Sequence, residues 1–415
     1  MTFWLLFILA VIILHYALSI AVSTLNIKAL STTLPKEFED TFDSEKYRES
    51  QEYTTATTHL RLVEDSVSTA LTIGFLLLGG FNVIDRFARS FQFSEIVTGI
   101  IFAFSLLFLS FLSGLPFSIY STFRIESRFG FNRTSVKTFV LDIAKGLLLA
   151  VAIGAPILAL VLWFFENSGS YGWLFCWIGV IIIGFLLQFL APVLIMPLFN
   201  KFTPLDDTEL KQKIRAYANR EKFQIKGIFT MDGSKRSSKL NAFFTGFGRF
   251  RKIVFFDTLL EKLSSDEIIA VLAHEMGHFK KKHIWKMLAA GILQTGLMFF
   301  LLSFFINNEG LFQAFRMENL SIYASLVFFA FIYSPLNTLI SIFLNYLSRI
   351  HEFEADRYAA ETTGNPEMLI QGLKKLCREN LSNLTPHPLM VFLSYSHPPV
   401  LSRIRTLDGM INKQT

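Results

Sequence analysis

Long apolar segments alternate with polar segments along the whole chain. Seven apolar segments each reach the roughly 20 residues that a helix needs to cross about 30 Å of hydrocarbon. They cover approximately residues 3–25, 68–87, 96–120, 139–164, 173–197, 285–307 and 321–347. The first has no basic region before it and is too long for the apolar part of a signal peptide, so we expect it to be retained. The pattern predicts a polytopic membrane protein, mainly α-helical, with seven transmembrane helices.

The composition agrees with this layout. Of the 415 residues, 52% are hydrophobic and 17% are charged, whereas soluble domains carry about 25% charged residues. A soluble enzyme, a disordered chain and a repeat solenoid are therefore excluded. The formal net charge of +6 fits basic loops on the cytoplasmic face of a membrane, so we expect a lipid bilayer and no nucleic acid as partner.

Lysine and arginine are distributed unevenly among the loops. The loop after the third apolar segment and the long polar segment after the fifth are rich in both, whereas the loops after the fourth and sixth have almost none. Because basic loops stay in the cytoplasm, this predicts an N-terminus outside and a C-terminus in the cytoplasm. Residues 28–67 hold more acids than bases, which argues weakly against this orientation. A bacterial inner membrane and the endoplasmic reticulum both fit.

Two polar segments are long enough to fold outside the bilayer. They divide the chain into residues 1–199 with five spans, 200–284, 285–347 with two spans, and 348–415. The pattern within residues 200–284 predicts strands over Gly227 to Met231, Lys239 to Phe247 and Lys252 to Asp257, and a helix from about Ser265. We therefore expect a small α+β region on the cytoplasmic side.

The predicted helix contains His274-Glu275-Met276-Gly277-His278, which matches the H-E-x-x-H pattern. A spacing of four residues puts both imidazoles on one helical face, where they can bind one zinc ion. Glu275 lies beside them, in the position of a general base that takes a proton from water. A pair of surface histidines without a metal is the alternative interpretation.

A catalytic zinc ion usually takes three protein ligands, so a third is expected elsewhere in the chain. If the helix runs on from the motif through the sixth span it travels about 44 Å, and the seventh span returns about 48 Å to Glu352. Glu352 and Asp356 are again four residues apart, so one can bind metal while the other holds a ligand histidine. His351 is a rival ligand that spacing cannot dismiss. Glu354 projects from a different face of its helix than Glu352 and Asp356. His283 lies one residue away from the helical face that carries His274 and His278.

The zinc motif together with Ser348 to Asp356 (SRIHEFEAD) resembles the integral-membrane zinc metallopeptidases of the type I CAAX prenyl endopeptidase family, the a-factor-converting proteases. Further matching segments are Tyr120 to Thr134 (YSTFRIESRFGFNRT), Pro197 to Leu205 (PLFNKFTPL), Asn241-Ala242-Phe243 and Ser396-His397-Pro398-Pro399. The similarity covers most of the chain. The HtpX-type quality-control proteases share the zinc motif but are shorter with fewer spans, so they fit less well.

The resemblance implies which residues form a metal site. It implies one zinc ion per chain, bound by His274, His278 and Glu352. Glu275 matches the general base of the family, and Asp356 matches the acid that holds a ligand from behind. The family fold implies seven long helices around a water-filled intramembrane chamber, with the zinc site at its cytoplasmic end.

The resemblance also implies residues that act on the substrate. His397 matches a histidine that stabilises the oxyanion, and Arg403 matches the arginine beside it. Asn241 and Ala242 lie in the strand before the zinc helix, where an exposed edge could pair with an extended substrate. The expected partner is a peptide or protein, which some family members cleave after a prenylated cysteine of a C-terminal CAAX sequence. We expect the protein to be a monomer.

A transporter or channel and an inactive scaffold are the alternatives from other functional classes. Transporters place ionisable residues within spans near the middle of the bilayer, whereas spans two to seven here hold few charges. The intact Glu275 and the complete ligand set argue against an inactive scaffold. We therefore expect an intramembrane zinc metalloendopeptidase, with prenylated substrates favoured over membrane-protein quality control.

Overall fold

The computed structural model describes residues 2–206, 209–245 and 251–411. These residues form sixteen α-helices and one four-stranded sheet. The helices are α1 (Phe3–Lys28), α2 (Ser44–Leu77), α3 (Gly80–Arg89), α4 (Glu95–Tyr120), α5 (Val136–Asn167), α6 (Gly172–Leu190), α7 (Met196–Phe199), α8 (Glu209–Arg220), α9 (Asp257–Lys262), α10 (Ser265–Lys280), α11 (His283–Ser303), α12 (Glu309–Ala314), α13 (Ile322–Thr363), α14 (Pro366–Glu379), α15 (Pro388–Ser394) and α16 (Val400–Ile411). The strands are β1 (Phe202–Pro204), β2 (Gly227–Met231), β3 (Ala242–Thr245) and β4 (Lys252–Phe256).

Six helices within the described ranges are long and apolar enough to cross a membrane. They are α1, α4 with its π-helical continuation to Glu126, α5, α6 with its continuation to Phe199, α11 and α13. These six correspond to six of the seven predicted spans. The protein is therefore a polytopic, mainly helical membrane protein, as the hydropathy pattern predicts.

The second predicted span, residues 68–87, is not one straight helix. Helix α2 ends at Leu77, and α3 continues at an angle of 67° after a short break. Gly79 in the break has φ +75°, a conformation that residues with a side chain rarely adopt. A Cβ atom on Gly80 would lie 2.4 Å from the ring of Phe75, so the sharp bend also needs a glycine there. Only if this bent pair counts as one span does the number reach seven.

Charged side chains join the polar segments at each end of the helices. At the end that carries the sheet, the pairs are Lys374 with Asp40 (2.9 Å), Arg236 with Asp142 (2.8 Å) and Arg405 with Glu37 (2.6 Å). At the opposite end, the pairs are Arg89 with Asp85 (3.0 Å), Arg89 with Glu95 (2.7 Å) and Arg86 with Glu318. The loop after the third span meets the segment after the fifth, where Arg133 N donates to the carbonyl oxygen of Arg236 at 3.0 Å, so these two basic segments share one end of the molecule.

The sheet has the strand order β1-β2-β4-β3, in which β2 and β4 are parallel and the other pairs are antiparallel. The prediction for β2 is confirmed at both ends, and β4 ends one residue early because Asp257 begins α9. Strand β3 begins at Ala242 rather than Lys239. Residues 246 and 247 of its predicted range lie outside the described residues. The sequence did not predict β1, which has only three residues.

Helix α10 begins as predicted, because Ser264 and Glu267 form a reciprocal capping box at its N-terminus. It crosses α13 so closely that a Cβ atom on Gly277 would lie 2.9 Å from the Cα of Ala355. A glycine at this position therefore allows the two helices to bring their polar faces together.

The length of about 44 Å assumes that α10 continues through the sixth span. The helix does not run on into the sixth span, because it ends at Lys280 and Lys282 has φ +60° before α11 begins at His283. This left-handed residue changes the direction of the chain.

Candidate active site

Three side chains from α10 and α13 converge at the crossing of these helices. The Nε2 atoms of His274 and His278 are 3.2 Å apart. Glu352 Oε1 lies 3.1 Å from His278 Nε2, and Glu352 Oε2 lies 3.4 Å from His274 Nε2. Among the described residues, these three form the group whose histidine, cysteine or carboxylate ligand atoms lie close enough to hold a metal ion.

The distances fit a tetrahedral zinc site. With ligand atoms about 2.0–2.1 Å from the metal, the edge of a tetrahedron is about 3.3–3.4 Å long. The two histidine nitrogens are 3.2 Å apart, close to this edge, and each lies within 3.4 Å of one oxygen of the Glu352 carboxylate, which can complete the site. Glu352 Oε2 is also buried and receives no hydrogen bond from any described residue. A guanidinium nitrogen of Arg403 lies 3.3 Å away without forming a hydrogen bond, so this oxygen keeps an acceptor position that a bound cation would fill.

Asp356 and Arg403 lie behind His274. Asp356 Oδ1 is 2.8 Å from His274 Nδ1, so the other ring nitrogen of His274 is directed towards Glu352. Arg403 is buried and donates two hydrogen bonds to Asp356, at 2.8 and 2.6 Å. Burial and Arg403 act to lower the pKa of His274, but interactions with Asp356 and Glu352 outweigh them and raise it to about 9. A site that favours positive charge on a buried imidazole also favours a cation.

His278 is supported by two residues that the sequence did not assign to the site. Its Nδ1 lies 3.1 Å from Nδ1 of His283, and Nε2 of His283 lies 2.8 Å from Glu354 Oε2. Spacing along one straight helix could not find these contacts, because the break at Lys282 brings His283 back towards the motif. The rival ligand His351 stacks on the His283 ring with centroids 4.0 Å apart, and it is not one of the three clustered ligands.

Glu275 lines a cavity of about 790 Å³ beside the three ligands. Phe243 and Phe244 of β3, His278 of α10 and Trp285 of α11 are among the other lining residues. None of the described residues forms a hydrogen bond or ion pair with the Glu275 carboxylate. The carboxylate is therefore available to a substrate or water molecule in a largely apolar cavity.

His397 and Arg403 occupy different places, although the sequence groups them. The side chain of His397 is 66% exposed, and its Nε2 lies 3.4 Å from Glu352 Oε1. Ser396 Oγ is 2.9 Å from its other ring nitrogen. Arg403 is buried behind the ligands. Its Nη1 atom lies 3.3 Å from Glu352 Oε2. His397 can thus reach a substrate, whereas the contacts of Arg403 are with the residues that hold the site.

Asn241 and Ala242 lie at the start of the edge strand β3. Phe256 N donates to the carbonyl oxygen of Asn241 at 3.0 Å. Because alternate residues of an antiparallel strand face the partner, the backbone groups of Ala242 and Phe244 point away from β4. No described strand pairs with this outer side. The Asn241 side chain accepts a hydrogen bond from Ala242 N at 2.9 Å.

Two protein-family models match the chain and together cover most of it. Residues 23–201 match the model described as the CAAX prenyl protease N-terminal part with five membrane helices. Residues 204–411 match the model of peptidase family M48. The second match contains all three clustered ligands.

Curated relatives are similar over nearly their whole length. A CAAX prenyl protease 1 homolog of Arabidopsis thaliana is 36% identical over 386 residues, which is 91% of each chain. CAAX prenyl protease 1 of Saccharomyces cerevisiae is 35% identical over 93% of this chain and 91% of its own. The crystal structure of S. mikatae Ste24p matches with a TM-score of 0.93 and 34% identity, covering 98% of this chain and 99% of that chain.

Proposed function

The chain belongs to the M48 family of membrane CAAX prenyl proteases, and from this premise we propose that His274, His278 and Glu352 bind one zinc ion at which peptide bonds are hydrolysed. The observation that carries this assignment is the convergence of the two histidine nitrogens, 3.2 Å apart, on the buried carboxylate of Glu352. A zinc ion in this place lowers the pKa of a water molecule and polarises the carbonyl group of the scissile peptide bond.

Glu275 acts as the general base and then as the general acid. Its carboxylate lines the cavity next to His278 and has no hydrogen-bond partner among the described residues. It accepts a proton from the attacking water and delivers it to the nitrogen of the leaving amine. This double role needs a carboxylate that faces the substrate, which the position of Glu275 in the cavity provides.

His397 and Arg403 support the reaction in different ways. His397 is exposed and close to Glu352, so its imidazole can donate a hydrogen bond to the carbonyl oxygen of the substrate as negative charge develops there. Arg403 is a positioning residue. It holds Asp356 through two hydrogen bonds, and Asp356 in turn orients His274.

The substrate binds in an extended conformation along the outer edge of β3. The backbone groups there without a partner among the described residues are the carbonyl of Ala242 and both groups of Phe244, and Phe244 also lines the cavity with Glu275. Strand addition at this edge lays the peptide next to the zinc ligands. The Asn241 Nδ2 group donates a hydrogen bond to a substrate carbonyl, while its Oδ1 keeps the hydrogen bond from Ala242 N.

The substrates are peptides or proteins with a prenylated cysteine near the C-terminus. Support comes from relatives named CAAX prenyl protease 1, which match more than nine-tenths of this chain. The test compares a farnesylated CAAX peptide, the same peptide without the lipid, and an unfolded membrane protein, each with purified protein and with Glu275→Gln as control. We expect the farnesylated peptide to be cleaved with the highest kcat/KM. Preferred cleavage of the unfolded protein would instead indicate quality control, and no Glu275-dependent cleavage would refute hydrolysis at this site.

The zinc site faces the cytoplasm. Support for this orientation comes from the basic loops at the same end of the molecule, because loops rich in lysine and arginine stay in the cytoplasm. Cysteine labelling in sealed vesicles of known orientation tests this. Cysteines introduced at Glu166 and Glu309 should react from the outside, and one at Lys213 only after permeabilisation. Labelling of position 213 from outside would reverse the orientation.

A further inference from the structure

The two zinc-binding histidines are supported by different partners. His274 contacts the carboxylate of Asp356 directly, whereas His278 reaches a carboxylate only through a second histidine, His283. We propose that His283 and Glu354 form a hydrogen-bonded relay that orients the His278 ring for metal binding and thereby sets the affinity of the site for zinc. The inference rests on the proposed function only in that it takes His278 as a zinc ligand.

The hydrogen-bond directions along this relay are fixed by the metal site. If Nε2 of His278 gives its lone pair to zinc, Nδ1 of His278 carries the proton and donates it. The acceptor 3.1 Å away is Nδ1 of His283, which therefore carries its own proton on Nε2. That nitrogen lies 2.8 Å from Glu354 Oε2 and donates to it. Each group thus donates to the next, and the negative carboxylate at the end favours the Nε2 lone pair of His278.

The local structure holds His283 rigidly in this position. Its side chain is only 3% exposed, although it is polar and stands at the first residue of α11. The ring of His351 stacks on it with an angle of 10° between the ring planes. The left-handed conformation of Lys282 directs His283 back towards α10 instead of along a continued helix. Two adjacent helix ends and one stacked ring therefore determine where its nitrogens lie.

A purely structural role for His283 does not explain its contacts. A buried histidine needs a partner for each nitrogen, and a backbone carbonyl or a water molecule would satisfy it. Here both nitrogens are used, one towards a zinc ligand and the other towards a carboxylate of α13. Glu352, Glu354 and Asp356 thus all serve the same site. One binds the metal, and each of the other two supports one of the histidines.

The measurement is the zinc affinity of the purified full-length protein in detergent, determined by competition with a chelator of known affinity. Loss of a residue that supports a metal ligand from behind typically weakens binding by about 10–100-fold. His283→Leu fills the space without an acceptor, so we expect a loss in this range. His283→Asn places an amide oxygen near the position of Nδ1 and should restore most of the affinity. A merely structural role would not distinguish leucine from asparagine in this way.

A substitution of Glu354 tests the relay without replacing a buried side chain. Its side chain is 44% exposed, so Glu354→Ala should fold normally. We expect a smaller loss of zinc affinity, about 3- to 10-fold, because Glu354 acts through His283. The matched control is Glu361→Ala, an exposed glutamate on the same helix, which should leave the affinity unchanged. His351→Phe keeps the stacked ring and should also bind zinc as the wild type does.

These variants separate the relay from the metal site itself. Wild-type affinity in both His283→Leu and Glu354→Ala would overturn the relay while leaving the zinc site intact. A loss in His351→Phe as large as that in His278→Ala would identify His351 as the ligand in this position and would overturn the relay as well. If the wild-type protein itself bound no zinc, the proposed function would fail first.

Discussion

The region around the zinc site and the membrane helices are stabilised in different ways. Helix α10 buries eight of its 16 residues against other parts of the protein, whereas α6 buries two of 19. The side chains of α10 have specific partners, and Gly277 allows contact with the backbone of Ala355. Eight of the 19 residues of α6 are exposed on the outside of the protein, where a hydrocarbon environment satisfies apolar side chains without specific contacts. A substitution should therefore act through particular partners in the first region and through hydrophobicity in the second.

The same contrast holds for charge. At the proposed zinc site, Arg403 forms ion pairs with both Asp356 and Glu352, and all three side chains are buried. Charges buried in this way are costly unless every one has a partner. Four substitutions test this contrast between the region around the zinc site and the membrane helices, with expected effects that decrease from the first to the last.

Glu275→Gln should have the largest effect, and only on catalysis. The amide keeps the size of the side chain but cannot accept the proton of water, so kcat should fall by about 10²–10⁴-fold. Glu275 has no hydrogen-bond partner among the described residues, so the unfolding temperature and the zinc content should not change. Hydrolysis measured on the same peptide, with the zinc content of each preparation, checks this. Near-normal turnover would show that another group is the base.

Arg403→Leu should destabilise the protein strongly. It leaves the Asp356 carboxylate buried without its two hydrogen bonds, and removal of one partner from a buried ion pair costs about 3–5 kcal/mol. The matched control is Arg405→Leu, because Arg405 pairs with Glu37 at the surface and such pairs contribute about 0–1 kcal/mol. Thermal unfolding in detergent compares the two variants. Equal unfolding temperatures would contradict the contrast between buried and exposed charge.

His397→Ala should lower kcat by about 10²–10³-fold, the effect of losing one hydrogen bond to a developing oxyanion. KM should change less, because this interaction strengthens only in the transition state. The zinc content should stay at the wild-type level, since His397 is exposed and is not one of the three clustered ligands. Loss of zinc in this variant would make His397 a ligand and would leave the role of Glu352 in doubt.

Leu148→Ala should have the smallest effect. Leu148 lies on α5 and is 70% exposed from the protein, so the change should alter stability by less than about 0.5 kcal/mol. The same substitution at Leu259, which is 1% exposed in the core beside the sheet, should cost about 2–5 kcal/mol. Thermal unfolding of both variants measures the difference. A similar loss at both positions would mean that the membrane helices depend on specific packing as much as the catalytic region does.

The same contrast explains what the sequence could predict. The spans could be predicted from hydropathy because a helix that crosses a bilayer must be long and apolar and has few other sequence requirements. Six of the predicted spans match the structure. Two of the three proposed zinc ligands could be predicted because one helical spacing brings His274 and His278 together. The resemblance to a known family supplied Glu352 as the third ligand. The predicted start of α10 near Ser265 is also correct, and in the structure Ser264 and Glu267 form a capping box there.

The features that the sequence did not predict depend on breaks in helices. The bend after Leu77 depends on Gly79, and hydropathy does not register a single glycine within an apolar segment. The contact of His283 with His278 depends on a left-handed lysine, a conformation that no sequence pattern requires. Helical spacing beyond such a break places side chains on the wrong face. Helical spacing therefore predicts that His283 and Glu354 lie away from the site. In the structure, His283 contacts His278 and Glu354 contacts His283.

The central claim is that His274, His278 and Glu352 hold one zinc ion. Elemental analysis of the purified full-length protein, prepared without chelators, tests it most directly when the wild type is measured beside Glu352→Ala and Glu275→Gln. We predict one zinc ion per chain in the wild type and in Glu275→Gln. Glu352→Ala should lose most of the zinc. A wild-type protein without zinc, or full zinc content in Glu352→Ala, would contradict it.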